Sequence, residues 1–194
     1  MTEIDSLLKK FRKKPLVSPE ELEASASFSA VTFLREDLKR ILPHREPFLF
    51  VDAVTGVDLA GGQSAVSEAQ AWGNLICGRR FMDPADPVFQ GHFPDFPLYP
   101  GCLQVEMCGQ LGLCLAFFLK RGNITIPADA APPAVRATRS LGALFLEPLL
   151  PGREAALFAR GIAYDGYFGT ILGQVIADGK VCSVSVAEVM FLDS

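Results

Sequence analysis

Paired cysteines and clustered histidines are lacking in this chain. Its five cysteines form no CxxC pair, and its two histidines, His44 and His92, lie far apart. An odd number of cysteines without paired spacing argues against a disulfide framework or a zinc ribbon. Two separated histidines without carboxylate-rich spacing do not form a zinc motif either. We therefore expect reduced thiols and no metal site.

Positive net charge, an apolar segment after the basic N-terminal run and a serine-hydrolase motif are lacking as well. The net charge of −4 argues against a general nucleic-acid-binding protein. The basic run Lys9–Lys14 leads into acidic Glu20–Glu23 instead of an apolar segment, so we expect no signal peptide and a cytoplasmic protein. No GxSxG stretch occurs, which makes a nucleophilic hydrolase a poor candidate.

Apolar residues are plentiful, at 49% of the chain, which suits one compact domain. The longest apolar stretch, Leu103–Leu119, contains a glutamate and is short for a membrane span, which needs about 20 apolar residues. Pro100-Gly101 before it and Lys120-Arg121-Gly122 after it are typical of helix ends. We predict one helix buried in the core.

Strand-like runs follow this helix. Asp165-Gly166 and Asp178-Gly179 separate runs rich in β-branched and aromatic residues, and Asp-Gly between such runs is typical of a type I′ hairpin turn. We predict strands over these runs, over one run before them and over an earlier hairpin: Arg153–Tyr164, Tyr167–Ala177, Val181–Phe191, Val135–Leu146, Phe48–Val57 and Gln63–Ala71. The predicted fold class is α+β, one long buried helix wrapped by a curved antiparallel β-sheet.

Residues 1–37 carry little core pattern and are predicted to form an N-terminal extension. Within it, residues 1 to about 25 are expected to be mobile or loosely docked. A short amphipathic helix is indicated by the spacing of Leu34, Leu38, Ile41 and Leu42. Residues 38–194 are predicted to form a single domain without internal repeats.

Residues suited to proton chemistry concentrate between His92 and Glu106. This stretch holds a titratable base, a turn stiffened by proline and glycine, and one acid at the start of the apolar helix. A base and an acid are the parts that move two protons around one small substrate. We interpret the chain as an acid/base enzyme.

Four sequence blocks carry a family resemblance: Leu42–Leu49, Phe89–Pro94, Pro97–Leu103, and the pair Glu106 and Gln110. They resemble the hot-dog-fold β-hydroxyacyl-acyl-carrier-protein dehydratases of fatty-acid synthesis over roughly residues 38 to 192. The resemblance implies a hot-dog fold and loss of water from a (3R)-3-hydroxyacyl-acyl-carrier-protein to give the trans-2-enoyl thioester, without a cofactor. It does not indicate the acyl chain length, or whether the product is a fatty acid or a polyketide.

Catalytic roles follow from the matching positions. The resemblance implies that His92 is the base that takes the C2 proton. Glu106 would protonate the leaving hydroxyl, with a pKa raised by burial in an apolar tunnel. The N–H of Gly101, at the helix N-terminus, would stabilise the thioester oxygen. Structural alternatives are a loop cap for His92, an arginine pair for Glu106 and a turn requirement for Gly101.

Further residues receive supporting roles. Gln110 lies one helical turn after Glu106, where it either orients the carboxylate or only packs. His44 has no chemical role in the family, so we expect it to make a structural hydrogen bond. Four aromatic residues are predicted to line an acyl tunnel, with a place in the core as the alternative: Phe89, Phe93, Phe96 and Tyr99.

Some positions depart from the family pattern. Asp95 stands where glycine is usual, and Phe96 and Tyr99 make the turn bulkier. Aspartate tolerates left-handed backbone, so we expect the turn to survive with an altered tunnel mouth or substrate preference. Glutamate at position 106 resembles the chain-elongation dehydratases, whereas the dehydratase-isomerases have aspartate there, so it argues against isomerisation. The segment Pro100–Leu103, in contrast, resembles the isomerase branch.

The resemblance also implies partners. In the family, the helix of one subunit and the histidine loop of another build each site, so we expect a homodimer or a larger homo-oligomer. Acyl carrier protein is acidic, and basic groups are candidates to contact it: Arg79, Arg80, Lys120, Arg121, Arg136, Arg139 and the cluster Lys9–Lys14. The N-terminal extension is a hypothetical dock for the carrier or for a neighbouring enzyme.

Two other functions remain open. A hot-dog acyl thioesterase would use a carboxylate to direct water at the thioester and would release a free thiol. A non-catalytic acyl-binding partner subunit would lack the acid/base pair, and the presence of both His92 and Glu106 argues against it. We rank the dehydratase first, the thioesterase second and the partner subunit third.

Overall fold

The computed structural model describes residues 2–60, 74–165 and 167–192. These residues form a seven-stranded antiparallel sheet wrapped around one long helix. The strands are β1 (Phe28–Leu34), β2 (Ala53–Leu59), β3 (Asn74–Phe81), β4 (Val135–Phe145), β5 (Glu154–Tyr164), β6 (Phe168–Ala177) and β7 (Lys180–Phe191). The helices are α1 (Glu3–Phe11), α2 (Pro19–Ala24), α3 (Arg35–Ile41), α4 (Val88–Gly91) and α5 (Gly101–Arg121). Along the sheet, the strand order is β1-β2-β3-β5-β6-β7-β4.

The long helix α5 lies at the centre of the core, as predicted. Gly122 ends it in the left-handed conformation, with φ of 66°. Its length and composition would allow a membrane span, but 61% of its most apolar window is buried inside the protein. The helix packs so closely on the sheet that a Cβ atom at Gly173 of β6 would lie 2.4 Å from Cβ of Cys108. It is therefore a core helix.

Strands β4 to β7 confirm four of the predicted strands. Asp178 and Gly179 both have positive φ, 50° and 72°, as a type I′ turn requires. In the other Asp-Gly pair, Gly166 lies outside the described residues, and the Asp165 carboxylate accepts hydrogen bonds from two following N–H groups. The strands β5, β6 and β7 form the predicted meander.

The first predicted hairpin differs from the structure. Strand β2 pairs with β3, which the sequence did not predict as a strand. The predicted strand Gln63–Ala71 lies outside the described residues. Strand β3 lies between β2 and β5 and is mostly buried, so its sequence shows no regular alternation of apolar and polar residues. Arg79 and Arg80 come just before its last residue.

The N-terminal extension covers the face of the sheet opposite α5. Leu8, Phe11 and Leu16 are buried against β6 and β7. Gln174 of β6, fully buried, accepts a hydrogen bond from the N–H of Leu16 and donates to the C=O groups of Phe11 and Lys14. The structure thus differs from the expected loose docking, because the apolar face of α1 covers apolar side chains of the sheet. Strand β1 then joins the sheet beside β2.

Candidate active site

The histidine loop between α4 and α5 is closed by its own hydrogen bonds. The N–H of Leu98 donates to the C=O of His92 at 2.9 Å. Nδ1 of His92 lies 3.0 Å from the C=O of Leu98, and because a carbonyl only accepts, Nδ1 carries the proton. Nε2 is then the basic nitrogen of the neutral ring. The ring stacks on that of Phe93, with 4.1 Å between centroids.

Asp95 lies in this loop at the position where glycine is usual. Among the described residues other than glycine, Asp178 alone has positive φ. The loop therefore forms without left-handed backbone at Asp95, and the change from glycine costs no backbone strain. The tolerance of aspartate for left-handed backbone, which the sequence argument invoked, is therefore not used at Asp95, and an altered tunnel mouth or substrate preference stays a prediction.

Glu106 lies in the second turn of α5 and is held by two side chains. Its Oε1 accepts a hydrogen bond from Nε2 of Gln110 at 3.0 Å and lies 3.3 Å from Nε2 of His44. Within the described ranges, no residue bonds to Oε2. The partners are thus a glutamine and a histidine, and the arginine pair considered from the sequence does not form.

Gln110 is a rigid support for this carboxylate. It is fully buried, and its side-chain oxygen accepts from the N–H of Phe50 at 2.8 Å. Its side-chain nitrogen donates to the C=O of Phe48, also at 2.8 Å, as well as to Glu106. Since backbone groups fix both ends of the amide, its orientation is set by the fold. Gln110 therefore both packs in the core and bonds to Glu106, and its role in orienting the carboxylate for catalysis stays a prediction.

The pKa of Glu106 shifts in the direction opposite to the one predicted. Burial raises the pKa, as expected, but the hydrogen bonds that Glu106 accepts from His44 and Gln110 bring it below the ordinary value of 4.5. The side chain also remains 43% exposed, which limits the effect of burial. The carboxylate form is therefore favoured at neutral pH.

His44 is the site residue whose position the sequence did not predict. It lies in the loop that follows α3, and its side chain is 25% exposed. Its Nδ1 is buried and has no hydrogen-bond partner among the described residues. The expected structural hydrogen bond is instead a contact with the candidate acid. His44 does lie in the first block of the resemblance, but no spacing in the sequence links it to Glu106.

Gly101 is the first residue of α5, as predicted. N–H groups at a helix start have no acceptor within the helix, so that of Gly101 is placed to donate to a ligand. Its φ is not positive, so a turn requirement does not explain the glycine. A Cβ atom at this position would lie 2.6 Å from the ring of Phe145, which makes close packing the structural reason. The role in stabilising a thioester oxygen stays a prediction.

A cavity of about 1200 Å³ extends along one face of α5. Its lining combines Glu106, Gln110 and His44 with apolar side chains that include Leu113 and Ile171. This combination suits an acyl chain with a reactive polar head. The described part of one chain does not bring His92 into this lining. The fold thus places the candidate acid, Glu106, beside Gln110 and His44 in this cavity, and places the candidate base, His92, outside its lining.

The four aromatic residues predicted to form a tunnel do not line this cavity either. Phe89 and Tyr99 are buried in the core, with 5.8 Å between their ring centroids. They are core residues, which was the alternative considered from the sequence. Phe93 and Phe96 lie on the histidine loop and are 51% and 56% exposed. A tunnel role stays a prediction for these two residues.

The cysteines of α5 differ in burial. Cys108 is buried and its pKa is raised to about 12 by burial, as suits core packing, whereas Cys102 is exposed on the same helix.

Arg80 is buried and paired with Asp86, which removes it from the candidate carrier contacts. Exposed basic groups remain at several of the predicted positions: Lys9, Lys10, Arg12, Lys13, Lys14, Lys120, Arg121 and Arg136.

Comparisons relate the chain to known proteins. A family model, the FabA-like domain, matches residues 42–153. The 3-hydroxyacyl-acyl-carrier-protein dehydratase FabZ of Campylobacter curvus is 31% identical over 157 residues, which cover 81% of this chain and 96% of that protein. FabZ of Nitratiruptor sp. is 32% identical over 158 residues, with coverage of 81% and 96%. The dehydratase heterocomplex ApeI:P of Xenorhabdus doucetiae has a similar fold, with a TM-score of 0.55 at 15% identity over 81% of this chain and 91% of that one.

Proposed function

This chain belongs to the FabA-like domain family, and we infer from this that it is a 3-hydroxyacyl-acyl-carrier-protein dehydratase. Relatives that it matches over nearly their whole length bear that name. The observation in the site that best supports the inference is the Glu106 carboxylate, which Gln110 orients in a cavity with apolar walls while Oε2 is left unbonded by the described residues. In its protonated form, such a group is placed to give the proton on Oε2 to a leaving hydroxyl.

The reaction requires two proton transfers. Nε2 of His92 takes the C2 proton of the (3R)-3-hydroxyacyl thioester, and the electrons of that C–H bond form the C2=C3 double bond as the C3–O bond breaks. The leaving hydroxyl takes a proton from Glu106 and departs as water. The N–H of Gly101 donates to the thioester oxygen while negative charge grows there. Proton exchange with solvent then returns both side chains to their starting forms.

The histidine and the glutamate of each site are proposed to come from different subunits of a homodimer. Within the described part of one chain, His92 does not line the cavity that holds Glu106. Strand β4 is at the edge of the sheet, so its outer backbone groups are available to pair with a second copy. Three aromatic side chains near these elements, Phe93, Phe96 and Phe145, are more than half exposed, as expected of residues that a partner covers.

The carrier protein is proposed to contact the exposed lysines that follow α1. Lys13 and Lys14 are exposed, and an acidic partner would be attracted to them. The variant K13E/K14E should raise KM for a carrier-linked substrate and leave KM for a pantetheine-linked substrate unchanged. Equal changes for both substrates would contradict this contact. Because this partner is cytoplasmic in fatty-acid synthesis, we propose the same location for the enzyme.

The activity is tested by following 3-hydroxyacyl- and trans-2-enoyl-carrier protein by mass. Wild-type protein should interconvert them, and His92→Ala and Glu106→Gln should each slow the reaction by about 10²- to 10⁴-fold. Asp95→Asn, an exposed change in the same loop, is the control that should remain active. If folded wild-type protein leaves the acyl chain unchanged, the dehydratase assignment fails. Release of a free thiol would instead point to the thioesterase.

A further inference from the structure

His44 contacts the candidate acid from a separate element of the fold. We propose that His44 is a positioning residue of the dehydratase: its Nε2–H holds Oε1 of Glu106, so that Oε2 is the atom that gives its proton to the leaving hydroxyl. This inference rests on the proposed function, and it assigns a role to a residue whose counterpart has none in the resemblance. It is supported by the arrangement of donors, by the state of the His44 ring and by its burial.

Both donors around Glu106 converge on the same oxygen. Gln110 approaches Oε1 at 3.0 Å from the next turn of α5, and His44 approaches it at 3.3 Å from the loop after α3. A neutral carboxylic acid has one oxygen that accepts and one that carries the proton. Since two donors occupy the surroundings of Oε1, the proton of the acid form resides on Oε2. That oxygen is left unbonded by the described residues and is available to a substrate.

The buried side of the imidazole indicates which form of His44 is present. Nδ1 is buried, and no described residue forms a hydrogen bond with it. An imidazolium would place an N–H donor there without an acceptor, which is more costly than a bare ring nitrogen. The neutral ring with its proton on Nε2 avoids this cost and donates to Glu106. His44 therefore acts as a hydrogen-bond donor to the acid.

Other charged groups near the pair do not replace this bond. Arg45, next to His44, donates to the C=O groups of Leu42 and His44. Arg139 also lines the cavity, and it is paired with Glu188 at 3.1 Å. The remaining ionisable side chains that line the cavity are Lys120, Arg121, Asp129 and Tyr164. The hydrogen bonds that act on Glu106 come from His44 and Gln110.

Removal of the His44 donor has a defined effect on pH dependence. The bond stabilises the carboxylate form of Glu106 and so lowers its pKa. Without the bond, the pKa rises and Glu106 stays protonated to higher pH. Dehydration needs the protonated form, so the pH at which its rate falls should move upward. Hydration of the enoyl thioester needs the carboxylate form, so the pH at which its rate appears should move upward as well.

Two variants separate this role from simple packing. His44→Leu fills a similar volume without a donor, whereas His44→Gln offers an amide N–H near the position of Nε2. On the low-pH plateau, where Glu106 is protonated in both proteins, His44→Leu should lower kcat by about 10- to 100-fold, as expected for the loss of one hydrogen bond, and the fall of the rate should shift to higher pH. His44→Gln should restore the wild-type pH profile and most of kcat. Equal effects of the two variants on kcat, without a shift of the profile, would overturn the inference.

The protonation of His44 can also be measured in wild-type protein, so the test does not depend on whether the His44 variants fold. The chain has two histidines, so the imidazole ¹⁵N spectrum of the labelled protein contains two rings, and His92→Ala identifies that of His44. The spectrum should show His44 protonated at Nε2, with a shift that changes in Glu106→Gln. Protonation at Nδ1 with a bare Nε2 would overturn the inference. If wild-type protein dehydrates the substrate but either contrary result is obtained, the assignment as a dehydratase stands and only the role of His44 is rejected.

Discussion

Among single residues, Gln110 makes the largest set of hydrogen bonds described for the candidate site, although its side chain carries no charge. It bonds to Glu106 and to the backbone of Phe48 and Phe50, all from a fully buried position. Gln110→Met keeps the volume and removes these bonds, which leaves the N–H of Phe50 buried without an acceptor. We expect the free energy of unfolding to fall by about 2 to 4 kcal/mol. Urea denaturation followed by circular dichroism measures this loss, and steady-state kinetics should show a lower kcat.

The same helix offers a matched control for this prediction. Gln104 is also buried, and it makes one longer hydrogen bond, 3.3 Å to the C=O of Tyr99. Gln104→Met should therefore lower the free energy of unfolding by only about 1 kcal/mol and leave kcat near that of wild type. Similar losses in the two variants would mean that the bonds of Gln110 contribute no more than its packing.

At the scale of secondary-structure elements, the docking of the N-terminal extension depends on Gln174. This side chain on β6 bonds to three backbone groups of the segment after α1. Gln174→Leu removes all three bonds, so we expect the free energy of unfolding to fall by about 1 to 3 kcal/mol. Hydrogen exchange should become faster at the amide of Leu16 and along α1. Lys13→Ala, an exposed change in the same segment, is the control that should leave exchange unchanged.

The outcome also tests whether the extension is an ordered part of the fold. If the amides of α1 exchange at the unprotected rate in wild-type protein, the extension is mobile, as the sequence alone predicted. Protection in wild type that is lost in Gln174→Leu would establish the packing described for Leu8 and Phe11. Deletion of the extension is a less specific test of carrier docking, because it would also expose apolar side chains of β6 and β7.

At the scale of the whole molecule, a shared site predicts complementation between inactive chains. His92→Ala lacks the base and keeps Glu106, whereas Glu106→Gln lacks the acid and keeps His92. If the two chains are co-expressed with different tags and the heterodimer is isolated, one of its two sites contains both wild-type residues. Its dehydration rate should therefore be about half that of the wild-type dimer.

Each homodimer of a single variant is the control for this experiment and should stay inactive. A heterodimer without activity would mean that His92 and Glu106 of the same chain meet after a rearrangement. Light scattering of wild-type protein provides an independent check, since a mass of one chain at working concentration would contradict the proposed dimer.

Local patterns in the sequence were sufficient to predict the class of fold and the main chemical groups of the site. Helix α5 was predicted because an apolar stretch between Pro100-Gly101 and Gly122 has few alternatives to burial. The later strands were predicted because Asp-Gly turns are local signals. His92, Glu106 and Gln110 were named because motif spacing along one chain, and one helical turn between two residues, are visible in a sequence.

The pKa of Glu106 and the side chains that support it depend on contacts between segments that are distant in the sequence. The contact between His44 and Glu106 joins a loop to a helix that no local pattern connects. Together with the bond from Gln110, it lowers the pKa of Glu106, which the sequence had predicted to be raised. The placement of α1 depends in the same way on Gln174, which is distant in sequence. Hydrogen bonds and burial depend on which surfaces meet, and surfaces from distant segments meet only once the chain has folded.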